Sequence, residues 1–334
     1  MNYYRRSHWL YRITHVLILL ALGIHIINFV SFHSSVLQSF TSNEKNSFNP
    51  LLRGLGFDSN TTYRKILMNE GLGDYKSNLV VIEVGSDDLQ QAAFAAKEGF
   101  NVIIFNASPH DTKRLIDEKK KLSLEVKNRI IIRNLAVFER SKQKIKFSAM
   151  DGSASHISAT DFMDKSEMSD NFPNLFINVK SIALDDFIKH FPQGKNIYLL
   201  RIDAHGHEID IMRGLRDSLA KGKVRYILFE YWVNVLDRAE RLPLGSCQSV
   251  RSLLGLLSKA GYELFDLNVQ GNSAGEKMKP DGKESYLRPL NYHQNCKWIH
   301  LKSEEARGVL NYTRGYWTDV LAVNKRDFTG DELF

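Results

Sequence analysis

The sequence predicts an α/β domain with a mostly parallel central sheet, carried behind one membrane-spanning segment. Three observations lead there: short apolar runs alternating with amphipathic stretches, an acid or a glycine where several of those runs end, and one long uncharged segment near the amino terminus.

Composition bounds the answer first. The chain has 334 residues, 43% hydrophobic and 25% charged, which suffices for a substantial core and excludes disordered, collagenous and disulfide-scaffold classes. Lysine and arginine number 45 against 38 acids, a net charge of +7. No basic run is interleaved with aromatics as strand-binding surfaces require, so no nucleic-acid partner is expected. Cys247 and Cys296 are too few for a structural zinc site and permit at most one bridge.

Residues 13–32 carry no formal charge, and at about 1.5 Å per residue such a helix crosses roughly 30 Å of hydrocarbon. Arg5, Arg6 and Arg12 precede it, whereas residues 33–43 contain no lysine or arginine, so the amino terminus is expected in the cytoplasm. His25 and Asn28 interrupt the run and no clear small-x-small cleavage site follows, which favours a type II signal anchor over a cleaved signal peptide. The body is then expected in the lumen of the endoplasmic reticulum or Golgi. There Asn60, Asn106 and Asn311 head glycosylation sequons, and Cys247 with Cys296 form a candidate disulfide.

The expected organisation is a cytoplasmic tail and anchor over 1–33, a stem and leading helix over 34–74, one folded domain over 75–325, and a tail over 326–334. Within the domain, strands are expected at 79–84, 102–105, 130–132, 197–202 and 224–229. Helices are expected at 90–98, 112–121, 184–190, 208–219 and 250–259. Residues 271–283 read as a polar loop. Apolar strands separated by helices imply a parallel sheet that binds ligands at its carboxyl edge.

Chemistry is sought where these strands end. The first runs into Glu83-Val-Gly85, either a tight strand-to-helix turn or a place where backbone approaches a ligand. At the end of the second stands Asn106, where nucleotide-binding folds often place a ribose-binding carboxylate. The densest cluster is Asp203, His205, His207 and Glu208. Alternate strand residues point to opposite faces and the later ones belong to a turn, so no metal site is expected. Asp203 faces the cleft in this reading, and His205 is either a general base or a surface or capping histidine. Glu230 ends the next strand ahead of Trp232, which could bind a polyol acceptor or simply pack beneath a loop.

In order, these segments resemble the FkbM family of S-adenosylmethionine-dependent methyltransferases. The resemblance is carried by Ile82-Glu-Val-Gly85, Phe105-Asn-Ala-Ser-Pro109, Arg133-Asn134-Leu-Ala-Val137, Phe147 with residues 153–155, Ser181-Ile-Ala-Leu-Asp185-Asp186-Phe187, and Arg201-Ile-Asp203-Ala-His205-Gly206-His207-Glu208 through Gly214. It implies a seven-stranded, Rossmann-like class I methyltransferase sheet and S-adenosyl-L-methionine as cofactor. The implied activity is O-methylation of a sugar or other small hydroxyl acceptor, glycan or small molecule. The implied cofactor-binding residues are Glu83, Gly85, Asn106, Asn134 and Asp203, and the implied catalytic residues are His205, Asp203 and Glu230. Departures lie at Ser86-Asp-Asp-Leu89 after the first glycine, at Asn106 in place of an acid, and at His205 in place of a glutamate. They motivate an alternative, a membrane-anchored pseudo-methyltransferase that serves as a binding module.

Overall fold

The computed structural model describes residues 59–68, 70–148, 156–157, 176–191, 196–243, 246, 248–267, 288–289 and 317–324. All belong to the compact unit Arg53–Phe334. The expected anchor at 13–32, the sequons at Asn311, both cysteines, residues 153–155 and the loop at 271–283 lie outside the described residues. Among the described residues no helix is long and apolar enough to cross a membrane.

Helix α1 (Ser59–Leu67) leads into a 3-10 segment (Glu70–Asn78) and then strand β1 (Val80–Val84). There follow α2 (Gln90–Lys97), β2 (Asn101–Phe105), α3 (Pro109–Lys120), α4 (Leu124–Asn128), β3 (Ile130–Arg133) and β4 (Ala136–Val137). After β5 (Lys144–Ser148), β6 (His156–Ile157) and β7 (Phe176–Ile182) come α5 (Leu184–Ile188) and β8 (Ile197–Ile202). The order closes with α6 (Glu208–Arg213), α7 (Arg216–Ala220), β9 (Val224–Trp232), α8 (Val233–Ala239), α9 (Gln248–Lys259), β10 (Tyr262–Asp266), β11 (Arg288–Pro289) and β12 (Trp317–Asn324).

The main sheet runs β11-β10-β12-β9-β8-β1-β2-β3. Strands β3, β2, β1, β8 and β9 are parallel neighbours, while β12 runs antiparallel between β9 and β10. The expected seven strands are therefore eight, the extra one being the two-residue edge strand β11. A second sheet, β4-β7-β5-β6, forms a separate ladder with its own small core of Ala136, Phe147 and Val179.

The five strands expected from apolar runs are β1, β2, β3, β8 and β9. Strand β1 is buried along its whole length, as a strand covered on both faces must be. The expected helix 208–219 is instead two short helices. Gly214 ends α6, and a Cβ there would stand 2.3 Å from the carbonyl oxygen of Phe138, so the close approach of the β4 segment breaks the helix. Helix α1, within the stretch expected as stem and leading helix, docks onto the sheet through Tyr63, Ile66 and Leu67, all buried. Tyr198 of β8 fastens it by donating a 3.2 Å hydrogen bond to the Ile66 carbonyl.

Strand order reverses around β1, with β2 on one side and β8 on the other. In open α/β sheets a crevice forms at the carboxyl ends of the strands at such a point, so this edge is where ligand chemistry is sought.

Candidate active site at the carboxyl edge of the sheet

At the end of β1, Gly85 has φ 85, a left-handed conformation natural only to glycine. Its neighbour across the crevice is the backbone of Asp203, which donates from its N–H to the Val84 carbonyl at 2.9 Å. The glycine makes a tight turn, and the backbone that approaches it closely is the protein's own, at Asp203.

Glu83 lies inward of that turn and is wholly buried. Tyr63 Oη donates to its Oε1 at 2.6 Å and Ser86 Oγ to its Oε2 at 2.6 Å. Burial pushes its carboxyl above the ordinary value, opposed by the Arg201 guanidinium and by these two hydrogen bonds. Both oxygens are engaged within the protein, so Glu83 shapes the Gly85 turn from beneath.

Asn106 is buried and clasps two loops. Its Nδ2 donates to the Ser86 carbonyl at 2.7 Å, and its Oδ1 accepts from the Ser108 N–H at 2.8 Å. Its carbonyl accepts from Thr112 Oγ1 at 3.2 Å and from Asn134 Nδ2 at 2.9 Å. Asn134 also reaches the Ala107 carbonyl at 3.1 Å, so both asparagines organise the loop after β2. Ser108 then caps α3, its Oγ accepting from the Asp111 N–H, with Pro109 in the first turn.

The third part is built by β8 and β9. Ile202 pairs in register with Phe229, so Asp203 and Glu230 leave the two strands side by side. Beyond Asp203 the backbone takes two successive left-handed steps, His205 at φ 48 and Gly206 at φ 106. A histidine in that conformation is uncommon. The turn swings the ring back, placing His205 Nε2 3.3 Å from Asp203 Oδ1 and 3.9 Å from Glu230 Oε2. Side-chain exposures of 32% for Asp203, 30% for His205 and 19% for Glu230 leave the trio open to solvent on one side.

Around it sits an excess of acid. Arg201, mostly buried, faces Asp203 with Nη2 3.4 Å from Oδ2. Asp319 of β12 pairs in register with Glu230. Burial, then the neighbouring Asp203, Glu208 and Asp319 carboxylates, push Glu230 up to about 9. Asp203 Oδ1 and Glu230 Oε2 are themselves buried atoms and have no hydrogen-bond partner among the described residues.

The remaining acids and histidine of the cluster turn elsewhere. Glu208, buried, accepts from the Ala204 N–H at 3.1 Å and the Gly206 N–H at 2.9 Å, locking the turn; burial pushes it up to about 7. His207 Nδ1 lies 2.9 Å from Asp210 Oδ2 in a buried pair. The Trp232 side chain lies outside the described residues. Tyr63, Ser86, Arg201 and Asp319 escaped sequence reasoning. Only Arg201, a cation inside an apolar strand, carried a local signal that a buried partner awaited it.

The reversal of strand order and the acid-lined crevice at its carboxyl edge define a doubly wound α/β protein of the methyltransferase-like type. The chain belongs to the FkbM methyltransferase family, whose "Methyltransferase FkbM domain" matches residues 64–264. Similar solved structures include a methyltransferase FkbM from Methylobacillus flagellatus, 11% identical with a TM-score of 0.38, over 61% of this chain and 44% of that one. This chain thus spans less than half of that protein. An O-methyltransferase from Bacillus cereus in complex with SAH is 12% identical at a TM-score of 0.38, over 87% of this chain and 90% of that one. A TehB-like SAM-dependent methyltransferase from Corynebacterium glutamicum is 9% identical at a TM-score of 0.30, over 91% and 100%. No curated protein sequence matches.

Proposed function

We propose that this protein is an S-adenosylmethionine-dependent methyltransferase that acts on a hydroxyl of a sugar or other small acceptor. The observation that carries the reading is the meeting, at one crevice, of the Gly85 turn with Asp203, His205 and Glu230. When bound, S-adenosylmethionine supplies an electrophilic methyl group, and the protein's part is to align an acceptor with it and remove one proton.

The residues fit that cofactor along the crevice. The Gly85 turn stands at the switch point, and the unpartnered Oδ1 of Asp203 is a polar group beside it. Proton removal falls to the trio, with His205 the imidazole among two acids. An acceptor hydroxyl seated beside Glu230 would lie within reach of all three.

A specific observation favours a second reading. The Asn106 amide, standing where a ribose-binding acid is expected, has both ends consumed by Ser86 and Ser108. That supports a pseudo-methyltransferase in which the fold serves as a binding module. Calorimetry of the full chain with S-adenosylmethionine separates the two: micromolar binding supports the enzyme, and no heat at millimolar cofactor sinks it. In the enzyme, His205→Ala lowers turnover at nearly unchanged cofactor affinity; equal loss of both would make His205 a structural residue.

The uncharged segment 13–32 behind Arg5, Arg6 and Arg12 supports anchorage in a secretory membrane with the folded unit in the lumen. Protease protection in intact microsomes tests it, since digestion of the folded unit from outside would reverse the topology.

A further inference from the structure

We propose that Asp203, His205 and Glu230 form a binding site for one divalent transition-metal ion, Mn2+ or Zn2+. One oxygen of each acid and one ring nitrogen of the histidine lie within 4.8 Å of one another. His205 Nε2 stands 3.3 Å from the Asp203 oxygen and 3.9 Å from the Glu230 oxygen. Ligand atoms about 2.0–2.2 Å from a shared ion stand roughly 3–4 Å apart, so an ion would fit with small side-chain adjustments.

A second, independent observation points into the same space. Asp203 Oδ1 and Glu230 Oε2 are buried acceptors without a hydrogen-bond donor, and these are the oxygens that face His205. Buried acceptors seldom lack partners, and an ion satisfies both at once. Charge runs the same way, since Asp203 and Asp319 lie near the Arg201 guanidinium and Asp319 pairs in register with Glu230.

Ligand chemistry narrows the ion. An imidazole nitrogen in the set disfavours Mg2+ and Ca2+, which take oxygen ligands; the imidazole suits Zn2+, and the two carboxylates suit Mn2+. Three protein ligands and partial exposure leave positions open for water or for acceptor oxygens. The objection that alternate strand residues diverge is met by the left-handed turn at His205, which returns its ring to the Asp203 side.

The role in catalysis, in which the ion eases loss of the acceptor's proton in place of direct abstraction by His205, rests on the methyltransferase reading, whereas ion binding itself does not. The test uses the full chain in detergent, free of any affinity tag, titrated with MnCl2 while the free-ion electron paramagnetic resonance signal is followed. Expected are loss of that signal at one ion per chain, competition by Zn2+, and affinity lower by about tenfold or more in Asp203→Asn and Glu230→Gln. Asp117→Asn, at an exposed acid far along the chain, should bind as the parent does. Failure to bind either ion at millimolar concentration, or unchanged affinity in both site variants, overturns the proposal. Should those variants not fold, anomalous diffraction from Mn2+-soaked crystals decides: a peak between the three side chains supports the site, and none there removes it. Calorimetry with S-adenosylmethionine on the same preparation keeps the readings apart. Cofactor binding without ion binding overturns this inference alone, and ion binding without cofactor binding overturns only the methyltransferase reading.

Discussion

A Cβ placed on Gly85 would stand 1.8 Å from the carbonyl oxygen of Asp203 and 2.9 Å from its carbonyl carbon. The turn after β1 and the end of β8 therefore touch backbone to backbone, and the crevice exists in its present form because position 85 has no side chain. Gly85→Ala combines a left-handed penalty of about 1–2 kcal/mol with an overlap that only main-chain movement relieves. We expect a loss of about 3 kcal/mol or more in urea unfolding. Gly255→Ala, in α9 with open space around it, should be neutral or stabilising by up to about 1 kcal/mol. Equal behaviour of the two variants would contradict the contact.

The Asn106 clasp predicts a chemical and an energetic result. Its Nδ2 already donates to Ser86 and the residue is buried, so expression through a secretory pathway should leave Asn106 without a glycan despite its sequon. Peptide mass spectrometry reads this directly. Asn106→Ala leaves the Ser86 carbonyl and the Ser108 N–H without their partner and should cost about 1–3 kcal/mol. Stoichiometric glycosylation at Asn106 in a folded protein would mean that the loops are not joined this way.

Much of the sheet was legible because β1, β2, β8 and β9 are short apolar runs buried on both faces, and β3 is a short apolar run at the sheet edge. Strands β10 and β12 were not, since Tyr262–Asp266 and Trp317–Asn324 mix polar residues into short runs and pair antiparallel across a long gap in sequence. The trio was half legible. Asp203, His205 and Glu230 were each visible as polar residues at strand ends, but their convergence depends on one φ angle and on the register of β8 with β9. The buried partners of Glu83 and Arg201 come from elements whose packing no local pattern announces.

Tyr63 and Glu83 provide a test of that hidden packing. The Tyr63 hydroxyl is fully buried, burial and the Glu83 carboxylate hold its proton well above the ordinary range, and it donates to Glu83 at 2.6 Å. Tyr63→Phe keeps the ring in place and strips one donor from a buried carboxylate. The cost should be about 1.5–3 kcal/mol, seen as a lower urea midpoint with an unchanged slope. A variant as stable as the parent would show that α1 does not hold the β1 turn through this bond.

Glu208 and Glu230 set the direction of the pH dependence. In the folded protein burial raises Glu208 to about 7 and Glu230 to about 9, whereas in the unfolded chain both release their protons near 4.5. Between those values the folded state binds more protons than the unfolded state, so stability falls as pH rises. The contribution of Glu208 is complete below about pH 4.5 and lost by pH 7, a span worth about 3 kcal/mol; that of Glu230 continues to decline toward pH 9. Melting temperature should therefore drop from pH 5 to pH 9. Glu208→Gln sacrifices one acceptor for the Ala204 or Gly206 N–H, lowering stability at pH 5, yet flattens the decline between pH 5 and 7. Glu230→Gln flattens the portion above pH 7. A parent protein whose melting temperature holds constant across this range would place both carboxylates in water rather than in the crevice.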